Sequence, residues 1–156
     1  MKRNVQFNSI LIVDDDEVSS LISSVMLQKA EIEAPIHIVY NGRQAIDYLR
    51  KECVKSKEEN LCPALLFLDL NMPIMDGFEF LEAFSHDDQL RQINVCIFIL
   101  TSSAHWQDQE RVIKYPVAGY ITKPITAEKI QKLFKLKREK AKKLKFVVCK
   151  NNTAAI

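Results

Sequence analysis

The chain has 156 residues, of which 47% are hydrophobic and 27% charged. That is enough for one domain with a full core, and no apolar run approaches the ~18 residues that a membrane span needs. The formal charge is +2, but residues 128 to 150 hold ten Lys or Arg against two Glu, a local +8 that leaves −6 elsewhere, so an acidic body carries a basic tail.

Ser9-Ile10-Leu11-Ile12-Val13 is an unbroken apolar run that stops on Asp14-Asp15-Asp16. Such a run without polar alternation suits a strand buried on both faces, with its carboxyl end at the aspartates. Val18, Leu21, Ile22, Val25 and Met26 follow at helical spacing, with Asp16 or Glu17 suited to the first turn. Pro35-Ile36-His37-Ile38-Val39-Tyr40 reads as a second strand, Asn41-Gly42 as a turn, and Ala45, Ile46 and Leu49 as one face of a short helix. Residues 51 to 60 are charged and poorly apolar and predict a helix extension or a loop.

The third strand, Ala64-Leu65-Leu66-Phe67-Leu68, ends on a lone carboxylate, Asp69. Pro73 blocks its continuation, and Asp76-Gly77 starts a helix marked by Phe78, Phe80, Leu81 and Phe84. A fourth strand runs from Ile93 to Leu100 and ends on Thr101-Ser102-Ser103. A weak helix around Gln107 to Lys114 is stopped by Pro116. The fifth strand, Val117 to Thr122, ends on Lys123-Pro124, and Thr126 can cap a last helix with Ile130, Leu133 and Phe134 on its apolar side. Five βα repeats predict an α/β fold, a parallel sheet with helices on both faces and right-handed crossovers. The domain is placed at residues 1–136, a basic extension at 137–156, and residues 151–156 are expected to fray.

The first six residues lack a long apolar stretch and a small-residue cleavage site, so a cytoplasmic location is expected. Cys53, Cys62, Cys96 and Cys149 form no Cys-x-x-Cys pair, which argues against zinc. Cys53 and Cys62 could meet across a loop, but a chain of this size needs no staple, and all four cysteines read as thiols.

Ligands of open α/β sheets bind beyond the carboxyl ends of the strands. Asp14-Asp15, Asp69, Thr101 and Lys123 would converge there. Each alone has a bland explanation, since exposed strand ends often carry such residues. Four of five ends together point to a site. Two carboxylates ~4 Å apart repel by about 4 kcal/mol at an effective dielectric of 20, so three in one crevice need protons or a cation. Lys123 supplies one positive charge, and an all-oxygen site suits Mg²⁺ for the rest. The Thr101 hydroxyl and the Lys123 ammonium are donors that fit a phosphoryl group. With three glycines and no Gly-rich loop, nucleotide binding of the P-loop type is excluded. The nucleophile must then be a side chain, and a carboxylate can form an acyl phosphate. Asp69, on the central strand end, is the candidate.

With Asp14-Asp15, Asp69 in Leu-Asp-Leu-Asn-Met-Pro, Asp76-Gly77, Thr101 and Gly119-Tyr120-Ile121-Thr122-Lys123-Pro124, the chain resembles the receiver domain of two-component response regulators, the CheY-like family, from about Ile10 to about Phe134. The resemblance implies a flavodoxin-like, doubly wound, five-stranded (βα)5 sheet. It also implies that Asp69 accepts a phosphoryl group from a phosphohistidine, with a sensor histidine kinase, a hybrid kinase or a phosphotransfer protein as partner. Asp15, Asp69 and the backbone carbonyl of Asn71 would ligate Mg²⁺, and Asp14 would act through water. Lys123 would pair with Asp69 and then with the phosphoryl oxygens. Thr101 would move toward the phosphoryl group, Tyr120 would turn inward behind it, and the fourth helix, fifth strand and fifth helix would form the readout face. The resemblance is to stand-alone receivers: signalling proteins rather than enzymes, acting only on their own phosphorylation.

Two other functions compete. A Mg²⁺-dependent aspartyl phosphatase could use Asp69 and Asn71, but dehalogenase-like phosphatases prefer Asp-x-Asp followed by Gly-Thr, and Asn71-Met72-Pro73 stands here instead. A non-phosphorylated interaction module typically loses an acidic residue or the Lys, and this chain keeps them all. The basic tail, with Leu144, Phe146, Val147 and Val148, suggests packing against a second copy of the chain, as a homodimer, or against its own acidic body. Direct DNA binding is not expected, because no recognition helix or aromatic interleaving accompanies the charge.

Overall fold

The computed structural model describes residues 5–56, 62–102, 106–143 and 154–155. The elements in chain order are β1 (Val5–Gln6), β2 (Ile10–Val13), α1 (Glu17–Lys29), β3 (Ile32–Glu33), β4 (Ile36–Val39), α2 (Gly42–Leu49), β5 (Leu65–Asp69), α3 (Gly77–His86), β6 (Cys96–Thr101), α4 (Trp106–Val112), β7 (Val117–Thr122), α5 (Ala127–Lys143) and β8 (Ala154–Ala155). The five anticipated strands are β2, β4, β5, β6 and β7. They pair in parallel in the order β4-β2-β5-β6-β7, the doubly wound arrangement expected.

The unbroken apolar runs are buried on both faces of this sheet. Leu11, Val13, Leu66, Leu68, Ile97 and Ile99 enter one core with Ala45, Ile46, Phe80, Leu81 and Phe84 from α2 and α3. Ile10, Ile12, Leu65, Phe67, Phe98 and Leu100 enter the other with Leu27 of α1 and Ile130 and Leu133 of α5. Alternate side chains of one strand thus serve opposite cores, so β2, β5 and β6 are apolar on both faces up to the last residue at their carboxyl ends.

Helix starts follow side-chain chemistry. The Asp16 carboxylate accepts the Ser19 amide at 2.9 Å, which assigns it to the helix start as the sequence predicts. Asp76 and Glu79 form a reciprocal capping box on α3. Thr126 accepts the Lys129 amide at 3.2 Å.

Residues Arg50–Lys55 continue α2 as a π-helix, the extension of the two alternatives expected. Three features depart from expectation. Cys53 and Cys62 are joined in a disulfide, their Cα atoms 4.7 Å apart, and Cys96 is no free thiol either, so the thiol reading fails for these three; Cys149 lies outside the described residues. The charged stretch between residues 51 and 60 offers little apolar surface to bury, and a covalent tie supplies local order that core packing does not. β1 and β3 form a separate parallel pair, two residues each, too short to leave a periodic signal. Lastly, Ala154–Ala155, expected to fray, pairs in parallel with Gly119 and Tyr120 as a sixth strand at the sheet edge. The expected packing of residues 144–148 falls outside the described residues.

α1 forms as its spacing predicts but is turned outward. It buries Ser20, Ser23 and Leu27, whereas Val18, Leu21, Ile22 and Val25 are 67%, 64%, 44% and 37% exposed.

Candidate functional site

The carboxyl ends of β2, β5, β6 and β7 meet at one rim of the sheet. Register places Val13 of β2 beside Leu68 of β5, and Asp69 beside Leu100 of β6, so Asp14 and Asp69 leave adjacent strands at one level. On the far side the Lys123 amide donates to the Thr101 carbonyl at 2.7 Å, extending the β6–β7 ladder by one residue and aiming the lysine back across the rim. Its ammonium donates to Asp14 Oδ2 at 2.7 Å and to Asp69 Oδ2 at 3.0 Å.

Asp14 is fully buried and its carboxylate accepts three donors. Oδ1 accepts the Asp16 amide at 3.0 Å, and Oδ2 accepts the Ser19 hydroxyl at 2.7 Å as well as Lys123. Asp69 is 8% exposed and its Oδ1 accepts the Asn71 amide at 3.1 Å. Burial pushes the Asp69 carboxyl above its ordinary range, with the negative Asp14 acting the same way, against the Asn71 amide and Lys123. Burial acts to lower Lys123, but the hydrogen bonds and charges of Asp14 and Asp69 outweigh it and hold the ammonium above its usual value. Asp15 is exposed at the mouth. One carboxylate oxygen from each of Asp14, Asp15 and Asp69 lies within 4.8 Å of the others. One ammonium cannot balance three carboxylates, and this oxygen-only set suits a hard divalent cation. The residues present therefore fit the Mg²⁺ implied for the site.

Thr101 is buried at the end of β6 beside this cluster. Tyr120 is already inside, 5% exposed, and its hydroxyl donates to the Gln109 carbonyl of α4 at 3.4 Å. The loop after Asp69 is drawn tight by Gly77, whose amide donates to the Leu70 carbonyl at 3.0 Å. A Cβ on Gly77 would lie 2.5 Å from the Asp69 carbonyl oxygen and 2.8 Å from Leu70 Cα, so only glycine lets α3 start this close to the carboxylate. Beside the cluster lies a cleft of about 400 Å³ lined by Val18, Ser19, Ile22, Ser102, Lys123 and Ile125, among others.

Sequence reasoning missed Ser19 as the second donor to Asp14. Its only signal is a hydroxyl in the first turn of α1, which is common enough at helix starts to carry no information alone.

The model of the response regulator receiver domain matches residues 10–135. The chain belongs to this family. Among receivers in curated proteins, response regulator Rcp1 of Synechocystis is 29% identical over 127 residues, covering 81% of this chain and 82% of that protein. Histidine kinase 1 of Arabidopsis thaliana is 28% identical over 140 residues, but the chain spans only 11% of its length. Among solved structures, the bacteriophytochrome response regulator RtBRR is 30% identical with a TM-score of 0.68, covering 81% of this chain and 75% of that one. The Mn²⁺-bound form of Rcp1 is 27% identical with a TM-score of 0.62, covering 89% and 96%. The family is a signalling one, and no described helix is long and apolar enough to cross a membrane.

Proposed function

We propose that this receiver is a phosphoacceptor of a two-component phosphorelay, with Asp69 taking the phosphoryl group from a phosphohistidine on a sensor kinase, hybrid kinase or phosphotransfer protein. The observation that carries this reading is the buried Asp69 carboxylate, tied to Lys123 at 3.0 Å within a three-carboxylate cluster at the strand ends. An Asp69 oxygen attacks phosphorus, the P–N bond breaks, and the imidazole nitrogen leaves with the electron pair. Lys123 stands beside the attacked group and can follow the new phosphoryl oxygens. Thr101, at the neighbouring strand end, offers them a hydroxyl.

Asp15, Asp69 and the Asn71 carbonyl would hold Mg²⁺, which neutralises the oxygens of the transferred group. A related receiver, Rcp1, has been seen in a Mn²⁺-bound form. Asp14 would act through water, a role supported by the three donors, Asp16, Ser19 and Lys123, that its carboxylate already accepts. Readout through α4, β7 and α5 is supported by the Tyr120 hydroxyl on the α4 backbone. A protein donor is supported by the outward apolar residues of α1, Val18 and Ile22, on the wall of the same cleft. The receiver unit is residues 1–136, acting in the cytoplasm, with 137–156 as its basic extension.

The test is labelling by acetyl phosphate or a phosphohistidine donor with Mg²⁺. Asp69→Asn is expected to abolish labelling while preserving the circular dichroism spectrum and melting behaviour. Full labelling of that variant would remove Asp69 from the chemistry.

A further inference from the structure

β7 is where the site and the readout side share one strand. Thr122 at its end precedes Lys123, whose ammonium bridges Asp14 and Asp69. Tyr120, in its middle, is buried and bonded to the α4 backbone. One side of β7 pairs with β6 from Val117 to Thr122, with an irregularity at Ala118. The other side would be the last edge of the sheet, a row of main-chain donors and acceptors open to any extended chain. Ala154 and Ala155 occupy it, in register with Gly119 and Tyr120.

The connection is physically undemanding. Residues 144–153 separate the end of α5 from β8. Ten residues can reach ~33 Å, against ~20 Å for a strand of six, so chain length does not force the pairing to this point. α5 follows β7, and a parallel strand placed after such a helix repeats the βα geometry of the whole sheet.

We propose that the outer edge of β7 is a strand-docking surface, that its occupant is residues 154–155 of the same chain, and that occupancy is linked to the state of Asp69. The linkage rests on the phosphoacceptor reading above. Docking holds Gly119–Tyr120 extended, with Tyr120 on the α4 backbone, in the strand whose end carries Lys123, the ammonium that bridges Asp14 and Asp69. Docking and phosphorylation then favour one another, and whatever one does to the other is returned by the same factor.

The experiment compares the full chain with Ala154→Pro/Ala155→Pro, which removes both main-chain donors, and with Ala154→Ser/Ala155→Ser, which keeps them. Amide exchange across Gly119–Tyr120 is expected to accelerate at least tenfold in the proline variant, and the acetyl phosphate labelling extent to fall severalfold, with the serine variant like the parent. Unchanged exchange overturns the docking. Faster exchange with unchanged labelling overturns the linkage. A parent of dimer mass that becomes monomeric in the proline variant overturns the same-chain occupant in favour of a second copy. If no protein is labelled at all, the phosphoacceptor reading fails and the linkage with it, while exchange still decides the docking.

Discussion

α1 and α3 are mounted alike and packed oppositely. Each follows a strand whose end bears an aspartate of the site, and each is capped by a second aspartate, Asp16 or Asp76. α3 buries Phe80, Leu81 and Phe84 of the four residues that define its apolar periodicity and packs the fourth, Phe78, partly against the same core. α1 turns four of its five periodic residues, Val18, Leu21, Ile22 and Val25, to solvent, keeps Met26 against the core and buries Ser20 and Ser23. The close contact there is polar: the Ser20 hydroxyl donates to the Asp14 carbonyl at 3.4 Å, and Ser19 donates to the Asp14 carboxylate. Apolar spacing reports that a stripe exists. It does not report whether the core or a partner covers it.

Breaking α3 tests the first half of this contrast. Phe80 is fully buried, and Phe80→Ala is expected to cost about 3–5 kcal/mol in denaturant unfolding, through lost burial and the cavity left behind. A loss near zero would show that α3 is not the core helix it is taken to be.

Next in size is Gly77→Ala. The added Cβ meets backbone on two sides, so α3 must shift away from Asp69. A destabilisation of about 1–3 kcal/mol is expected, as for overpacking, together with slower acetyl phosphate labelling. Destabilisation without slower labelling would separate the helix start from the site.

The caps sharpen the comparison further. Asp16→Ala should cost about 1 kcal/mol of stability, as a lost N-cap, and leave Mg²⁺ affinity near the parent value by fluorescence or calorimetric titration. Asp15→Ala should do the reverse: little loss of stability, and some gain without metal because one like charge leaves the cluster, but weaker Mg²⁺ binding. Equal losses of metal affinity would show that the three aspartates are assigned in the wrong order.

The smallest effect on stability is expected on α1. Leu21 is 64% exposed, and Leu21→Ala should change unfolding by no more than about 0.5 kcal/mol. Its effect belongs in transfer kinetics: slower labelling from a phosphohistidine protein, unchanged labelling from acetyl phosphate. Equal rates with both donors would leave the outward stripe without a protein partner at this step.

The sequence by itself determined the five strands, their parallel sense and the residue types at their carboxyl ends. Strands buried on both faces must be continuously apolar, so the first polar residue after each run marks where it emerges. Asp14, Asp69, Thr101 and Lys123 were legible for that reason, and Asp16, Asp76 and Thr126 because capping is a local interaction between neighbours. Tertiary structure decided what depends on distant partners. The face that α1 presents is set by its docking on the sheet, which buries Ser20, Ser23 and Leu27, and periodicity within the helix does not choose it. Cys53, on the π-helix that continues α2, meets Cys62 with Cα atoms 4.7 Å apart, a pairing that their spacing in the sequence leaves open. β8 pairs because β7 leaves an edge uncovered, a property of strand order that no stretch around Ala154 and Ala155 encodes.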